Sequence, residues 1–244
     1  MPITFTCSVD DGHPSDMRMA ELLHRHGLSA TFFIPIRNKE GFPVMSASQI
    51  RELDNGFEIG SHTFDHCFLG SVSMPQARYQ IFEGKQKLED ILGKAVSGFC
   101  YPGGKYHQAH VDLVKRAGFQ YARTTTNLCF DAGTNRFEIP TTCQFYPHQK
   151  SVYLRNFIRA MHWNQRQAGL RTVLQQDSWI NRMYALFDHA NQSEAIFHLW
   201  IHSHNIDDLN LWCDLDAFLA HVATNVSHHQ RVTNGQLASR YFEH

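Results

Sequence analysis

The sequence opens on a strand that ends in two adjacent carboxylates and a glycine. Residues 3–9 alternate apolar and polar side chains, which is the period of a β-strand. Asp10, Asp11 and Gly12 follow directly. Neighbouring side chains leave a regular strand on opposite faces, and the glycine permits a turn that opens both carboxylates into one pocket. The pattern predicts one carboxylate acting as a base and the other binding a cation, although Asp-Asp-Gly is also an ordinary turn sequence.

Strand and helix patterns alternate along almost the whole chain. We predict further strands at 31–34, 57–60, 98–101, 121–125, 137–139 and 195–201, with a last short segment around Val232. We predict helices at 16–26 (capped by Asp16), 46–55 (capped by Ser46), 74–92, 107–117, 152–168, 178–189 and 211–224. No clear strand is expected between 144 and 192. This alternation favours a parallel sheet with helical crossovers, closed into a barrel or left open, in a single domain over residues 1–244.

Composition excludes several classes of function. The 22 basic and 23 acidic side chains nearly cancel, which argues against nucleic acid or an anionic membrane as the main partner. No apolar run approaches the roughly 18 residues of a membrane span. The six cysteines show no Cys-x-x-Cys spacing, and no basic-plus-apolar leader opens the sequence, so we expect a reduced, cytoplasmic chain. The oligomeric state stays open.

Polar side chains gather where strands are predicted to end, which is where parallel α/β folds place their working groups. They are Asp10, Asp11, His62, His66, Tyr101, Arg123 and His202, and Gly103 lies in the turn that follows Tyr101. His62 and His66 are four residues apart, so one helical turn would place both imidazoles on one face. Together with Asp11 they form the ligand set of a catalytic zinc or a similar divalent ion, although a lone His-x-x-x-His is a weak signal.

Four segments resemble motifs of the NodB-type polysaccharide deacetylases, carbohydrate esterase family 4. They are 8–12 (Ser-Val-Asp-Asp-Gly), 62–66 (His-Thr-Phe-Asp-His), 99–104 (Phe-Cys-Tyr-Pro-Gly-Gly) and 199–202 (Leu-Trp-Ile-His). The resemblance implies an α/β fold of the NodB type, a distorted (β/α) barrel that usually has seven strands. It also implies metal-dependent hydrolysis of N-acetyl groups on sugars.

The resemblance carries roles onto matching positions. Asp10 would be the general base and His202 the general acid. Asp11, His62 and His66 would hold one divalent metal ion, with zinc as the default and cobalt, nickel or manganese as alternatives.

Further residues would contact the substrate. The backbone N–H near Gly103 would help to hold the oxyanion. Tyr101 and Trp200 could offer flat surfaces to a sugar ring, although filling the core is the commoner use of such side chains. His13, directly after the glycine of the first motif, could line the pocket. His198 shares a strand face with Trp200 and is expected to be a packed, hydrogen-bonded core histidine.

The sequence departs from the family pattern in two places. Cys100 stands where members commonly carry an arginine that holds the base carboxylate. Arg123 could swing its guanidinium into that place, or it could be an ordinary rim arginine. The Asp-Trp motif that orients the acid histidine is not evident after Arg123, so the partner of His202 is open, with Asp207 and Asp208 as candidates by proximity only.

We therefore predict a metal-dependent hydrolase that removes an N-acyl group, first of all acetyl, from an amino sugar. A nucleotide- or lipid-linked precursor of a surface polysaccharide is the expected substrate. Two alternatives stay open. One is a related hydrolase of other C–N bonds, including cyclic amides, sometimes without metal. The other is a pseudo-deacetylase that binds glycans without turnover.

Overall fold

The computed structural model describes residues 2–160 and 163–242, which contain one curled sheet. Its strands are β1 (Thr4–Asp10), β2 (Thr31–Ile34), β3 (Glu58–Ser61), β4 (Gly98–Cys100), β5 (Tyr121–Arg123), β6 (Cys143–Gln144), β7 (Ile196–His202) and β8 (Arg231–Val232). Seven of them lie in the order β5-β4-β3-β2-β1-β7-β6, and every pairing is parallel. The two-residue strand β8 pairs with the first half of β1. The prediction of a seven-stranded, barrel-like α/β fold is confirmed.

The first strand lies in the middle of this sheet. β1 pairs with β7 along its whole length, and this register places Asp10 directly opposite His202. On its other side the second half of β1 pairs with β2. All seven residues of β1 are buried, including those with polar side chains. On the polar side, the Ser8 hydroxyl lies 2.7 Å from His198 Nε2 and donates to Asn234 Oδ1 at 2.9 Å.

Helices connect the strands, as the alternating pattern predicts. They are α1 (Asp16–Arg25), α2 (Ala47–Leu53), α3 (Met74–Leu92), α4 (Gln108–Arg116), α5 (Lys150–Arg159), α6 (Trp163–Gln175), α7 (Trp179–Gln192), α8 (Ser203–Asp208), α9 (Trp212–Asn225) and α10 (Asn234–Phe242). None of the helices in the described residues is both long and apolar enough to cross a bilayer.

Several predicted boundaries differ from the observed ones. The segment 137–139 forms no strand, although Ile139 makes one bridge to Arg123 at the sheet edge. The predicted helix 152–168 is divided into α5 and α6, and residues 161–162 lie outside the described part. Strand β6 and helices α8 and α10 were not predicted. Asp16 does not cap α1, because its side chain is buried and accepts a hydrogen bond from the Ser203 hydroxyl.

Candidate active site

The turn after β1 is built as the Asp-Asp-Gly sequence predicts. Asp11 has φ 80° and Gly12 has φ 63°, so both residues are left-handed. The Asp11 N–H donates to the carbonyl oxygen of Phe33 at 3.1 Å, which fixes the turn against β2. A Cβ on Gly12 would lie 2.7 Å from Ile34 Cγ2, so no larger residue fits there without a shift. As a result Asp10 and Asp11 both line one cavity of about 430 Å³.

Asp11, His62 and His66 converge in this cavity. Asp11 Oδ1 lies 3.5 Å from His62 Nε2 and 3.2 Å from His66 Nε2, and all three residues are buried. Zinc binds nitrogen and oxygen ligands at about 2.0–2.2 Å, so ligands around a tetrahedral ion are separated by about 3.4 Å. Asp11 Oδ1 is buried without a hydrogen bond of good geometry. The ligand set and its spacing therefore fit a divalent metal ion.

Electrostatics keep the Asp11 carboxyl ionised. Burial by itself raises its pKa, but the charge of His202 and the approach of His62 and His66 outweigh burial and hold the pKa well below its usual value. For His66, burial lowers the pKa and the neighbouring Asp11 raises it, with a net increase. The cluster thus presents an anionic oxygen between two imidazoles.

His62 and His66 lie in an irregular turn of the backbone. They do not lie on one turn of an α-helix, although their four-residue spacing predicts one. Thr63 (φ 67°) and His66 (φ 58°) are both left-handed, a backbone conformation that costs non-glycine residues free energy. The Thr63 hydroxyl accepts the Cys67 N–H at 3.0 Å, which closes the turn. His62 Nδ1 lies 2.9 Å from the carbonyl oxygen of Cys100, so Nδ1 carries the proton and Nε2 is left to bind metal.

Two other groups of potential metal ligands overlap this one. They are Asp10 with His62 and Cys100, and Asp11 with His202 and His204. Burial raises the pKa of the Cys100 thiol well above its usual value, so this sulfur is a poor ligand. Among the three groups, only the set of Asp11, His62 and His66 combines full burial with a free oxygen and two imidazole nitrogens.

Arg123 forms an ion pair with Asp10 through its Nη2 atom and Asp10 Oδ1, and both side chains are buried. Arg123 is paired in register with Cys100 on the neighbouring strand, so the two side chains leave the sheet on the same face. The guanidinium thus lies one strand away from the position where the family motif has its arginine. Of the two alternatives for Arg123, the structure agrees with contact to Asp10 and not with a solvent-exposed rim position.

His202 faces the cluster from β7. Its Nε2 lies 3.6 Å from Asp11 Oδ2. Its Nδ1 lies 3.2 Å from Gln144 Nε2 and 3.3 Å from Asn205 Oδ1, so two amide side chains flank the ring. Asp207 accepts the indole N–H of Trp212 at 2.7 Å, and neither it nor Asp208 hydrogen-bonds to His202. The aspartates next to His202 in sequence are therefore not its partners.

The two aromatic candidates for sugar contact, Trp200 and Tyr101, lie in different surroundings. Trp200 lines the cavity, and its ring lies 5.0 Å from that of His202. The indole nitrogen of Trp200 has no hydrogen-bond partner in the described structure. Tyr101, in contrast, is fully buried, donates to the Phe137 carbonyl at 3.1 Å and stacks on Tyr106. Its ring lies apart from the cavity, so the structure does not support the expected stacking of a sugar on Tyr101.

Of two further predicted residues, one lines the cavity and the other does not. Gly103 lines the cavity with φ 59°, and a Cβ there would lie 3.0 Å from the Phe68 ring. His13 makes a 2.6 Å contact from Nδ1 to the Ser15 hydroxyl, and its ring lies 5.8 Å from that of His204. It is not among the residues that line the cavity.

Comparison with known proteins finds a similar family for the first half of the chain. The family model described as polysaccharide deacetylase matches residues 3–122. Over these residues, just under half of the chain, the protein is similar to the polysaccharide deacetylase family. The matched segment carries Asp10, Asp11, His62 and His66 and ends one residue before Arg123.

One relative and two solved structures illustrate the extent of the similarity to polysaccharide deacetylases. The chitooligosaccharide deacetylase of Azorhizobium caulinodans is 36% identical over 114 residues, which cover 46% of this chain and 53% of the relative. A Mycobacterium smegmatis structure assigned to the polysaccharide deacetylases has a TM-score of 0.66 at 16% identity, covering 97% of this chain and 90% of that one. A Clostridium thermocellum family 4 acetyl xylan esterase in complex with cobalt has a TM-score of 0.60 at 14% identity, covering 98% and 91%.

The structural and the sequence similarities cover different shares of the chain. The two structures share the fold across almost the whole chain. The family model matches residues 3–122 only. The chain spans about half the length, or less, of the curated relatives it matches.

Several polar residues around the cavity of Asp10 and Asp11 were not predicted. Gln144 and Asn205 reach His202 only through the register of β6 and the start of α8, and neither position belongs to a recognisable motif. Burial, reinforced by Asp11 and Asp10, raises the pKa of the Asp16 carboxyl well above its usual value, although the Ser203 hydroxyl lowers it. The expectation for His198 is confirmed, because it is buried and its Nδ1 lies 2.9 Å from the Pro140 carbonyl oxygen.

Proposed function

We propose that the protein is a metal-dependent hydrolase that removes an N-acyl group, with acetyl as the first choice, from an amino sugar. The observation that carries this proposal is the pairing of Asp10 with Arg123 beside the cluster of Asp11, His62 and His66. His202 lies opposite Asp10 in the same cavity. A base, a metal site and a proton donor are thus arranged around one reacting position.

The residues divide the work of amide hydrolysis. A divalent ion held by Asp11, His62 and His66 would supply Lewis acidity, which makes a water easier to deprotonate and polarises the acyl carbonyl. Asp10, held by its ion pair with Arg123, takes the proton of the water as its oxygen bonds to the acyl carbon. A backbone N–H near Gly103 donates to the oxyanion. The C–N bond then breaks while the amine nitrogen receives a proton from His202.

Two amides are suited to hold His202 through this cycle. As assigned, the Gln144 amide nitrogen can donate to Nδ1 of a neutral imidazole, and Asn205 Oδ1 can accept from Nδ1–H of an imidazolium. We assign Gln144 and Asn205 as positioning residues for His202. Trp200, which lines the cavity, would contact the sugar.

Release of acid from model substrates tests the proposal. Purified protein loaded with zinc or cobalt should release acetate, or formate from N-formyl analogues, from N-acylated amino sugars. Asp10→Asn should lower kcat by at least about 10²-fold, in the range of general base catalysis. If no N-acylated sugar is hydrolysed by the metal-loaded protein, the proposal is wrong. Equal behaviour of wild type and Asp10→Asn in every assay would favour a glycan-binding protein without turnover.

Metal content distinguishes the other alternative. We propose zinc as the native ion because imidazole and carboxylate ligands suit it, with cobalt, nickel and manganese as alternatives. Metal analysis should find about one equivalent in the wild type, and Asp11→Ala should lose both metal and activity. A protein that hydrolyses a cyclic amide without metal would retain activity in Asp11→Ala.

We propose that the protein works in a reducing, cytoplasmic compartment. All six cysteines are free, and five of them are buried as thiols. Oxidising compartments favour disulfides, so this thiol content suits the cytosol. A cytoplasmic enzyme would meet a precursor sugar, linked to a nucleotide or a lipid, before a finished polymer. Fractionation of the cells that produce the protein, followed by immunoblotting, tests the location.

A further inference from the structure

A second, larger cavity of about 840 Å³ adjoins the catalytic one. Residues shared by the walls of both are Gly103, Thr125, Gln144, His148 and Trp200. The two spaces therefore form one recess. Pockets of about 300–1,000 Å³ enclose ligands of drug size, so the larger cavity has room for a second chemical group beyond the sugar. We call it the arginine cavity, after Arg155, Arg159 and Arg166 in its wall.

The charges in this wall are unbalanced. Three arginines line the arginine cavity with one carboxylate, Glu138. The Glu138 carboxylate already accepts two hydrogen bonds, from the Tyr106 hydroxyl at 2.8 Å and from the Asn135 amide at 2.6 Å. Arg155 and Arg159 are exposed side chains on α5. In the described part of the chain, no arginine–carboxylate ion pair involves either of them.

Arg166 adds a buried cation below this surface. Its side chain has no solvent exposure, and its guanidinium donates to the carbonyl oxygens of Asn127 and Asn156 at 2.7 and 3.2 Å. It also donates to the carbonyls of Phe157 and Ala160. All of these acceptors are neutral, so they solvate the charge of Arg166 without cancelling it. They also tie the end of α5, which carries Arg159, to the wall of the cavity.

The positive charges affect His148, which lines both cavities. Burial, and then the charges of Arg155, Arg182 and His202, lower the pKa of His148 to about 4. His148 Nε2 lies 2.8 Å from Gln144 Oε1, the residue that also contacts His202. A cavity with low-dielectric walls and unpaired cations attracts an anion.

We propose that the arginine cavity binds an anionic group, phosphoryl or carboxylate, that is covalently attached to the amino sugar. Guanidinium groups bind both anions through paired N–H donors, which explains two arginines one helical turn apart on α5. This inference rests on the proposed function, because it places the anion next to the sugar whose N-acyl group is hydrolysed. The substrate is then an acidic or phosphorylated N-acyl amino sugar and not a neutral polymer.

Direct binding tests the site without turnover. Calorimetry on the zinc-loaded protein would use UDP, inorganic pyrophosphate and glucuronate as probes, at low and high salt. We expect Arg155→Gln and Arg159→Gln each to raise the Kd of the preferred anion about tenfold, and the double variant more. Added salt should weaken binding to the wild type. Arg171→Gln, an exposed arginine of α6 outside the cavity, is the matched control and should bind like wild type.

Kinetics identify the source of the anion. Release of acetate would be compared among UDP-N-acetylglucosamine, N-acetylglucosamine 1-phosphate, an N-acetylated aminouronic acid and a neutral methyl glycoside of N-acetylglucosamine. We expect a higher kcat/KM for an anionic substrate, and loss of that preference in the double variant. Preference for the phosphorylated substrates assigns a phosphoryl group, and preference for the uronic acid assigns a carboxylate.

The two proposals can fail separately. If the neutral glycoside is hydrolysed as well as the anionic substrates and no probe binds, the anion site is wrong while the hydrolase stands. Binding that is unchanged in the double variant also overturns the site. If anions bind through Arg155 and Arg159 but no substrate is hydrolysed, the hydrolase proposal is wrong while the anion site stands.

Discussion

Arg123 reaches the carboxylate of Asp10 from the strand beside the one on which family members commonly carry an arginine. Because Cys100 and Arg123 are register partners in parallel strands, a long side chain at either position can reach the same point on the same face. The Cys100 sulfur lies 4.0 Å from Asp10 Oδ2, so the space next to the carboxylate is shared between the small thiol and the guanidinium. We therefore expect a guanidinium at either position to reach Asp10.

Exchange of the two side chains is the corresponding prediction. Arg123→Ala should lower kcat at least about 10²-fold, because the Asp10 carboxylate, the proposed base, loses the buried cation that pairs with it and orients it. Adding Cys100→Arg in the Arg123→Ala background should recover part of that loss. The measurement is kcat for acetate release, with circular dichroism to confirm folding. A folded double variant no more active than Arg123→Ala would contradict the exchange.

The amide partners of His202 give a second prediction at this scale. Gln144→Leu should lower kcat about tenfold with little change in KM, because the imidazole loses a neighbour that orients it. Gln144→Glu should retain more activity and move the basic limb of the pH profile to higher pH, since a carboxylate beside Nδ1 favours the protonated ring. Gln175→Leu, at an exposed site on α6, should change neither. Identical pH profiles for Gln144→Glu and wild type would exclude the positioning role.

At the scale of the elements, α3 supports the turn that carries His62 and His66. Gly84 in the middle of this helix packs against the backbone of the turn, and a Cβ there would lie 2.7 Å from the carbonyl carbon of Thr63 and 2.8 Å from the nitrogen of Phe64. Gln80, one turn earlier, accepts the Asp65 N–H at 3.0 Å. The helix therefore supports the left-handed segment between His62 and His66.

Gly84→Ala should consequently destabilise the protein, although alanine is the better helix former by about 1 kcal/mol. We expect overpacking to exceed that gain and to lower the free energy of unfolding by about 1–2 kcal/mol net. Metal affinity should fall as well, because the turn must move. Urea denaturation and chelator competition measure the two effects. Gly56→Ala, where nothing lies within 4 Å of the added Cβ, is the control, and an equal effect of both substitutions would contradict this account.

Elements with clear boundary residues were the ones that sequence predicted best. The strand 31–34 ends at Pro35, and the helix 74–92 lies between the cap Ser73 and the left-handed Gly93, and both have the predicted bounds. Strand β6 has only two residues, too few to show a period, and it exists because Cys143 and Gln144 pair with β7. Its absence from the prediction is also why Gln144 was missed as a neighbour of His202.

The site was predictable to the extent that its residues follow strands. Asp10, Asp11, His62, His66 and His202 come together because parallel strands bring their carboxyl ends to one edge of the sheet. The turn between the histidines was not predictable, because the four-residue spacing equally suits a helix. The arginine cavity lies on α5 and α6, in the region where the strand and helix register was hardest to read, and only the fold brings it beside Trp200.

At the scale of the whole molecule, a polar interior couples stability to pH. His198 is fully enclosed beside β1, and burial, followed by the charge of Arg123, lowers its pKa to about 3. The unfolded chain has a histidine pKa of about 6.5, so between these values the unfolded state binds a proton that the native state does not. Stability contributed by neutral His198 is complete above pH 6.5 and is lost as the pH falls toward 3.

Wild-type protein should therefore lose about 2 kcal/mol of unfolding free energy through this residue between pH 7 and pH 5. His198→Gln should be less stable at pH 7 but should show a smaller decrease over the same interval. Urea denaturation in the presence of a chelator measures the difference, because protons also compete with metal for its ligands. His24→Gln, at an exposed site on α1, should keep the wild-type dependence. Parallel curves for wild type and His198→Gln would contradict the assignment.

The family match stops at residue 122, and Arg123 is the next residue in the chain. Asp11, His62 and His66, the proposed cation ligands, come before that limit. Arg123, the partner of Asp10, and His202, opposite Asp10, come after it. The residues proposed to hold an ion thus lie in the matched part of the sequence, and two of those proposed to act beside it lie after that part. A classification based on the matched residues alone would place this chain among those without an arginine. The guanidinium is nevertheless present, on the neighbouring strand β5.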